Sequence, residues 1–278
     1  MGEHRKRGRD THKFDRVPRF GRALPRLRAR VDRDLRRNRL SRDRVTACAV
    51  RLIDLQLFRV GNPRYARKNG SYGVTTLREN HLTASPTILE FDFIGKSGKR
   101  QQRKVRDPRL ARLVAQLLEL PGHEVFRFFD EDDVLHDLRS HDVNAYVKRH
   151  MGEEFTVKDF RTWGGTLLVG AQLLELDPRE LRTSASRARA LSQAIKAAAD
   201  RLGNTPAVTR SSYVDPRVLA AVEHPRILAR VRAGRSRRRS RRYLDVTEQS
   251  VLALLTAMDR SVPRATILGN DDKASPAS

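Results

Sequence analysis

The stretch Val157-Lys158-Asp159-Phe160-Arg161-Thr162-Trp163-Gly164-Gly165 decides how this sequence is read. It opens a run, Thr156 to Leu174, whose apolar residues recur with the helical period, so Arg161 stands at a helix edge framed by Phe160 and Trp163. Further on comes Gly203-Asn204-Thr205-Pro206, followed by Ala207 to Tyr213. Thr205-Pro206 reads as the N-cap and first position of a short helix carrying Tyr213, stopped by Asp215-Pro216. An arginine held in an apolar frame and a tyrosine offered downstream from a Ser-rich helix suit transfer of a phosphodiester to a phenol.

Working outward from this pair, helical periodicity also marks Leu110 to Leu120, Ser140 to Met151, Ala185 to Leu202 and a last helix of about Val246 to Met258. Toward the N-terminus, Phe14, Val17, Phe20, Leu24, Leu27, Val31 and Leu35 follow three- and four-residue steps, with Pro18 and Pro25 expected to bend or break the helix. Ser41 is expected to cap a stronger helix over Arg42 to Leu57. After Gly61 the pattern changes to short strands at 73–77, 81–83 and 87–94. The last of these runs into the turn Gly95-Lys96-Ser97-Gly98 and a basic return strand, Lys99 to Arg106. The fold class is therefore α+β: mainly α-helical, with a small antiparallel β-sheet. We expect a basic linker over 1–15, a catalytic domain over 16–225, and an arginine-rich segment, helix and tail over 226–278. Between Arg226 and Arg242 lie nine arginines and no acid, a run that the sequence predicts to need a polyanion or solvent rather than to fold against itself.

Charge points to the partner. With 57 basic and 33 acidic side chains the chain carries +24, and its pI is about 11.3. Arginine supplies 47 of the 57, and its fork takes phosphate oxygens two at a time, which favours nucleic acid over a merely solvated surface. A GC-rich genome would also raise arginine, but it does not explain the surplus over acid. The single Cys48 excludes a disulfide framework and fits a reducing compartment, and no apolar run reaches the ~18 residues of a membrane span. The expectation is a soluble, cytoplasmic, nucleoid-associated protein, monomeric and working on double-stranded DNA without a membrane.

Phosphodiester transfer builds negative charge on two non-bridging oxygens, so fixed cations around them are the main requirement. Arg59, flanked by Phe58 and Val60, and Arg161 are arginines of this kind; each is equally readable as half of a buried ion pair, with Asp159 as one partner. Lys96, at a hairpin tip, is either solvated or a general acid for the leaving 5′-oxygen. Tyr213 is either an ordinary exposed tyrosine or the nucleophile, which then needs nearby cations or a base, because a phenol has a pKa near ~10. Asn204 is a neutral donor or simply part of a helix-capping turn. His136-Asp137 and His141-Asp142 read as helix-start pairs, and nothing has metal-ligand spacing; neither metal nor cofactor is expected.

Taken together, Arg59, Lys96, Arg161, Asn204 and Tyr213 resemble the active site of type IB DNA topoisomerases, in particular the small bacterial enzymes similar to the poxvirus topoisomerase. The resemblance runs from about Phe14 to Leu219 and includes FGRALPRLR, LFRVGNPRYARKNGSYGVTTLRENHL, FIGKSGK, VKDFRTWGGT and GNTPAVTRSSY. It implies that Arg59 and Arg161 contact the scissile phosphate, that Lys96 is the general acid and that Tyr213 forms a 3′-phosphotyrosyl bond. It also implies that Arg64, Tyr65 and Lys158 lie against DNA. Most members carry histidine where this chain has Asn204, and they usually have an N-terminal strand-rich domain that closes over the duplex, of which only HRKRGRDTHKFDRV is expected here. A tyrosine recombinase or integrase is the nearest alternative, but it typically shows His-x-x-Arg where this chain has Lys158-Asp159-Phe160-Arg161. A non-enzymatic basic DNA-binding protein would account for the charge, but not for the order of the five residues.

Overall fold

Phe14, Val17, Phe20, Leu24, Leu27, Val31 and Leu35 are all buried, and Val17–Asp34 forms helix α1. The expected break at Pro25 does not occur: the helix runs through it. Pro18 falls in the first turn, where a missing N–H costs nothing. The computed structural model describes residues 13–263 and residue 267. The opening segment 1–12 and most of the polar tail, both treated as linker or tail above, lie outside the described residues.

The chain divides into two compact units, one spanning Arg26–Arg161 and the other combining the residues up to Pro25 with those from Thr162 onward. The boundaries fall within helices, at Pro25 of α1 and after Arg161 of α6 (Val157–Glu175).

In the Arg26–Arg161 unit, helix α2 (Arg42–Gln56) buries Val45, Cys48, Ala49, Leu52 and Ile53. It packs on α5 (Ser140–Met151) and on strand β4 (Arg127–Phe129). Ser41 holds the N-cap position with extended backbone, but its side chain makes no capping bond. The three-stranded antiparallel sheet runs β1 (Leu82–Ala84), β2 (Ile88–Ile94), β3 (Arg100–Arg106), with Ile94 opposite Arg100. Along β2 the alternation is strict: Leu89, Phe91 and Phe93 point inward, while Glu90, Asp92 and Ile94 are exposed. Helix α4 (Pro108–Leu118), capped by the Asp107 carboxylate, packs on β1 and β2. A second hairpin, β4 with β5 (Leu135–Asp137), was not legible in the sequence, because three-residue strands carry no period. Residues 73–77, expected as a strand, instead contain the 3₁₀ turn Val74–Thr76, in which the Thr76 hydroxyl accepts from the Gly73 N–H at 3.0 Å.

Among the described residues, the other unit has no named strand. Helices α7 (Ser184–Leu202), α8 (Pro206–Tyr213), α9 (Pro216–Ala221), α10 (Pro225–Ala233) and α11 (Val246–Ser261) surround a core that includes Val169, Leu173, Ala198, Val218, Leu254 and Met258. Here the arginine-rich run departs from expectation, since its first half folds as α10. Ile227, Leu228 and Val231 are buried there at helical spacing. Arg232 donates to the Leu176 carbonyl and Arg238 to the Val231 carbonyl, so part of the charge fastens the backbone. Counting charge had hidden the apolar stripe.

Candidate active site

Arg59 is held by its backbone. Helix α2 ends at Leu57, which takes a left-handed conformation (φ 56°), and Phe58 then turns inward with its ring edge-on to Phe91 and Phe93, 5.3 Å from each. Burying such a ring contributes roughly 2–3 kcal/mol. Next in the chain, the Arg59 and Val60 carbonyls accept from the Val74 and Thr75 N–H groups at 2.9 and 2.7 Å. Gly73 makes that approach possible: a Cβ there would lie 2.5 Å from the Arg59 carbonyl oxygen. Within GNPRYARKNGSYGVTT the glycines and the asparagine after Gly61 set the backbone. Gly61 (φ 103°) turns the chain, Asn62 caps α3 (Pro63–Asn69) by accepting from the Arg64 N–H at 2.9 Å, and Gly70 (φ 56°) ends that helix. Arg64 and Tyr65 are exposed on α3, Tyr65 by 60%.

Arg161 is only 6% exposed, and its Nη1 donates to the Leu57 carbonyl, two residues before Arg59. Asp159, weighed above as an ion-pair partner, accepts from the Thr156 N–H and hydroxyl at 2.8 and 3.0 Å and so caps α6. Lys158 is exposed in the same first turn. Lys96 is exposed at the tip of the β2–β3 hairpin, in a tight turn where Ser97 (φ 61°) and Gly98 (φ 71°) are left-handed. The root of that hairpin is tied to the Arg59 support, because Tyr72 N–H donates to the Ile94 carbonyl at 2.8 Å. Beneath Tyr72 lies His81, with ring centroids 4.2 Å apart; its Nδ1 accepts the Arg78 N–H at 3.0 Å, and burial together with the Arg78 charge holds its pKa below the usual histidine value. His136 lies in β5 rather than at the expected helix start and contacts Asp130 at 2.5 Å, whereas His141, in the first turn of α5, contacts Asp142 at 3.4 Å.

Asn204 and Tyr213 belong to the other unit. Asn204 is 8% exposed, lying between the α7 C-cap Gly203 (φ 63°) and the α8 N-cap Thr205, whose hydroxyl accepts from Val208 N–H at 3.2 Å. Tyr213 is the last residue of α8 and half-buried. Its backbone lies against α6: a Cβ on Gly165 would stand 2.4 Å from the Tyr213 carbonyl oxygen. Beside it the Thr166 hydroxyl reaches the same carbonyl at 3.5 Å and accepts the Asp215 N–H at 3.0 Å. Asp215, buried, is locked by Arg217, which also pairs with Asp259 and donates to the Phe14 carbonyl. Helix α6 therefore carries Arg161 and, one turn later, the Gly165-Thr166 pair that fixes the tyrosine backbone.

The sequence reading missed Lys13, whose ammonium donates to the Ser212 carbonyl and lies 5.7 Å from the centroid of the Tyr213 ring. It had been counted among linker charges, and no periodicity marks it. Thr166 and Arg217 were missed as well, since their roles come from contacts distant in sequence.

Comparison with known proteins gives the class. The family described as eukaryotic DNA topoisomerase I, catalytic core, matches residues 2–224. The DNA topoisomerase 1B of Acanthamoeba polyphaga mimivirus is 32% identical over 212 residues, covering 74% of this chain and 63% of the viral protein. That of vaccinia virus (Western Reserve) is 21% identical over 208 residues, covering 74% and 62%. Human DNA topoisomerase 1 is 26% identical over 175 residues, 60% of this chain and 22% of its own length. The chain belongs to the type IB DNA topoisomerase family. It spans less than two thirds of the length of these relatives.

Proposed function

We propose that this protein relaxes supercoiled duplex DNA, acting as a monomer, by cutting and resealing one strand. Tyr213 gives up its phenolic proton to water as its oxygen attacks a phosphodiester; a bond forms from that oxygen to phosphorus, and the bond from phosphorus to the 5′-oxygen breaks. The 3′ end stays on the protein as a phosphotyrosyl ester. Arg59 and Arg161 neutralise the two non-bridging oxygens, Asn204 donates a hydrogen bond there as a neutral group, and Lys96 gives its proton to the departing 5′-oxygen. Arg64, Tyr65 and Lys158 hold the flanking duplex. One ester is exchanged for another, so neither ATP nor a metal ion is required.

What supports this reading is found in each unit by itself: the buried Arg161 is bound to the Leu57 carbonyl in one, and Gly165-Thr166 hold the Tyr213 backbone in the other. Arginines on fixed backbone, Arg161 buried and Arg59 half-buried, are the preorganised charge that such a transition state needs. The test is incubation with supercoiled plasmid in EDTA without nucleotide. Relaxed topoisomers should appear with the natural chain and not with Tyr213→Phe, and detergent should trap a covalent protein–DNA adduct only in the former. An absolute Mg²⁺ requirement, or adducts that persist in Tyr213→Phe, would overturn it.

A further inference from the structure

Two cavities among the described residues are lined by arginine, and they differ in one respect. The first, about 560 Å³, lies in the Arg26–Arg161 unit near β4, β5 and the start of α5, and carboxylates face most of its cations, although Arg127 donates only to the Leu120 carbonyl. Arg139 pairs with Asp137 at 2.7 Å, Arg42 with Asp142 at 3.8 Å, and His136 with Asp130 at 2.5 Å. A cleft whose own wall carries Asp137 and Asp142 repels an anion more than one without any acid does.

The second, about 480 Å³, lies wholly in the helical unit and is lined by Arg22 of α1, Arg230 of α10 and Arg260 of α11, with Leu252, Ala253 and Ala257 forming an apolar wall. No carboxylate lines it, and none among the described residues pairs with these three guanidinium groups. Asp259, the acid of the last turn of α11, is turned to Arg217 at 2.8 Å. Alanine at 253 and 257, four positions apart on one face of α11, keeps the space open. Arg22 is drawn across it by the Thr256 hydroxyl at 3.2 Å. Three like charges around one cleft repel one another until an anion joins them, and each guanidinium takes phosphate oxygens two at a time. Arg230 and Arg260, with the whole of α11, lie beyond the segment that matches the topoisomerase family, residues 2–224.

We propose that this cleft is a phosphate-binding site for a ligand bearing two or more linked phosphates, distinct in its residues from the five assigned to strand transfer. Three positive charges match the charge of a di- or triphosphate, and the apolar wall accepts whatever the phosphates are attached to. That chemistry has two sources, a free polyphosphate or nucleotide and the backbone of a nucleic acid strand.

The protein contains its own reporter. Trp163 is the single tryptophan, and its ring packs on Gly21, the chain neighbour of Arg22, where the Leu252 side chain that lines the cleft also reaches. Titration of the whole chain with tripolyphosphate should give a saturable change in tryptophan fluorescence, and saturable heat by calorimetry. Affinity should fall at least tenfold in an Arg230→Gln, Arg260→Gln double variant whose melting temperature is unchanged, and sulfate at equal ionic strength should not substitute. Repeating the titration with a short duplex separates the sources. If the duplex displaces tripolyphosphate and itself binds more weakly to the variant, the occupant is a nucleic acid backbone; if both bind together, it is a free polyphosphate. Absence of saturation by both measurements, or equal affinity in the double variant, would overturn the proposal. None of these readouts is strand cleavage, so the outcome is independent of the catalytic reading.

Discussion

At the scale of single residues, the site is controlled as much by glycines as by the charged groups. Gly165 lies within a helix, where alanine is ordinarily favoured by about 1 kcal/mol. At this position, however, a methyl group would meet the Tyr213 carbonyl oxygen at 2.4 Å, and that oxygen belongs to backbone that cannot swing aside. Gly165→Ala is expected to push α8 outward and slow single-turnover cleavage on the order of 10²-fold, as misplacement of a nucleophile by about 1 Å does. Duplex affinity in a gel-shift assay should stay within about threefold, because a methyl group leaves every charge in place. Cleavage at the natural rate would show that the tyrosine does not depend on this contact. Arg59→Ala and Arg161→Ala should each cost about 3 kcal/mol of transition-state stabilisation, with lysine a poor replacement because it lacks the fork. Near-normal kcat/KM in either variant would mean that the phosphate is held by other groups.

Elements position what the residues supply. The β2–β3 hairpin carries Lys96 at its tip and is tied at its root through Tyr72, which rests on His81. If Lys96 is the general acid, Lys96→Ala should slow cleavage strongly on ordinary DNA and far less on a strand with a 5′-bridging phosphorothiolate, whose sulfur leaves without a proton. Equal losses on both substrates would remove it from that role. His81 adds a pH dependence. Its depressed pKa, caused first by burial and then by Arg78, means that the unfolded chain takes up the proton more readily than the folded one. Its neutral form supports the fold above the ordinary histidine value of about 6.5, and this support is lost as pH falls below it. Melting temperatures measured between pH 7.5 and 5.5 should therefore decline less in His81→Gln than in the natural chain; parallel declines would show that His81 is not the group responsible. A third element-level contact is the buried Tyr146 hydroxyl on α5, which donates to Asp34 of α1 at 2.7 Å. Tyr146→Phe should destabilise the protein by about 1.5–3 kcal/mol in urea unfolding, since it strips a hydrogen bond from a buried carboxylate.

For the molecule as a whole, the proposed function makes the +24 charge the feature expected to govern binding to DNA. Binding should be dominated by phosphate contacts, with log affinity falling by about 0.9 per released counterion for each tenfold rise in salt. A slope of several units is expected in fluorescence anisotropy between ~50 and ~200 mM salt, and it should be nearly the same for unrelated duplex sequences. A flat slope would mean that base contacts carry the affinity.

Much of this was legible in the sequence, because helices with an apolar stripe and local caps declare themselves within a dozen residues: α2, α5, α6, α7 and α8 stand within about three residues of their expected ends. The β2–β3 hairpin was legible for the same reason, from alternation on one strand and a glycine turn. The five candidate residues could be picked out by their joint order and spacing, through the resemblance to a known family; taken one at a time, each had an ordinary structural reading as well. Tertiary structure decided the rest. That Gly73 supports Arg59, that Arg161 binds the Leu57 carbonyl, that Gly165 and Thr166 fix Tyr213 and that Lys13 lies over its ring are contacts across 14 to 200 positions of chain. They leave no periodic trace in the sequence. The fate of the arginine run was settled the same way: composition registered its charge, but only packing could show that Ile227, Leu228 and Val231 fold it into a helix.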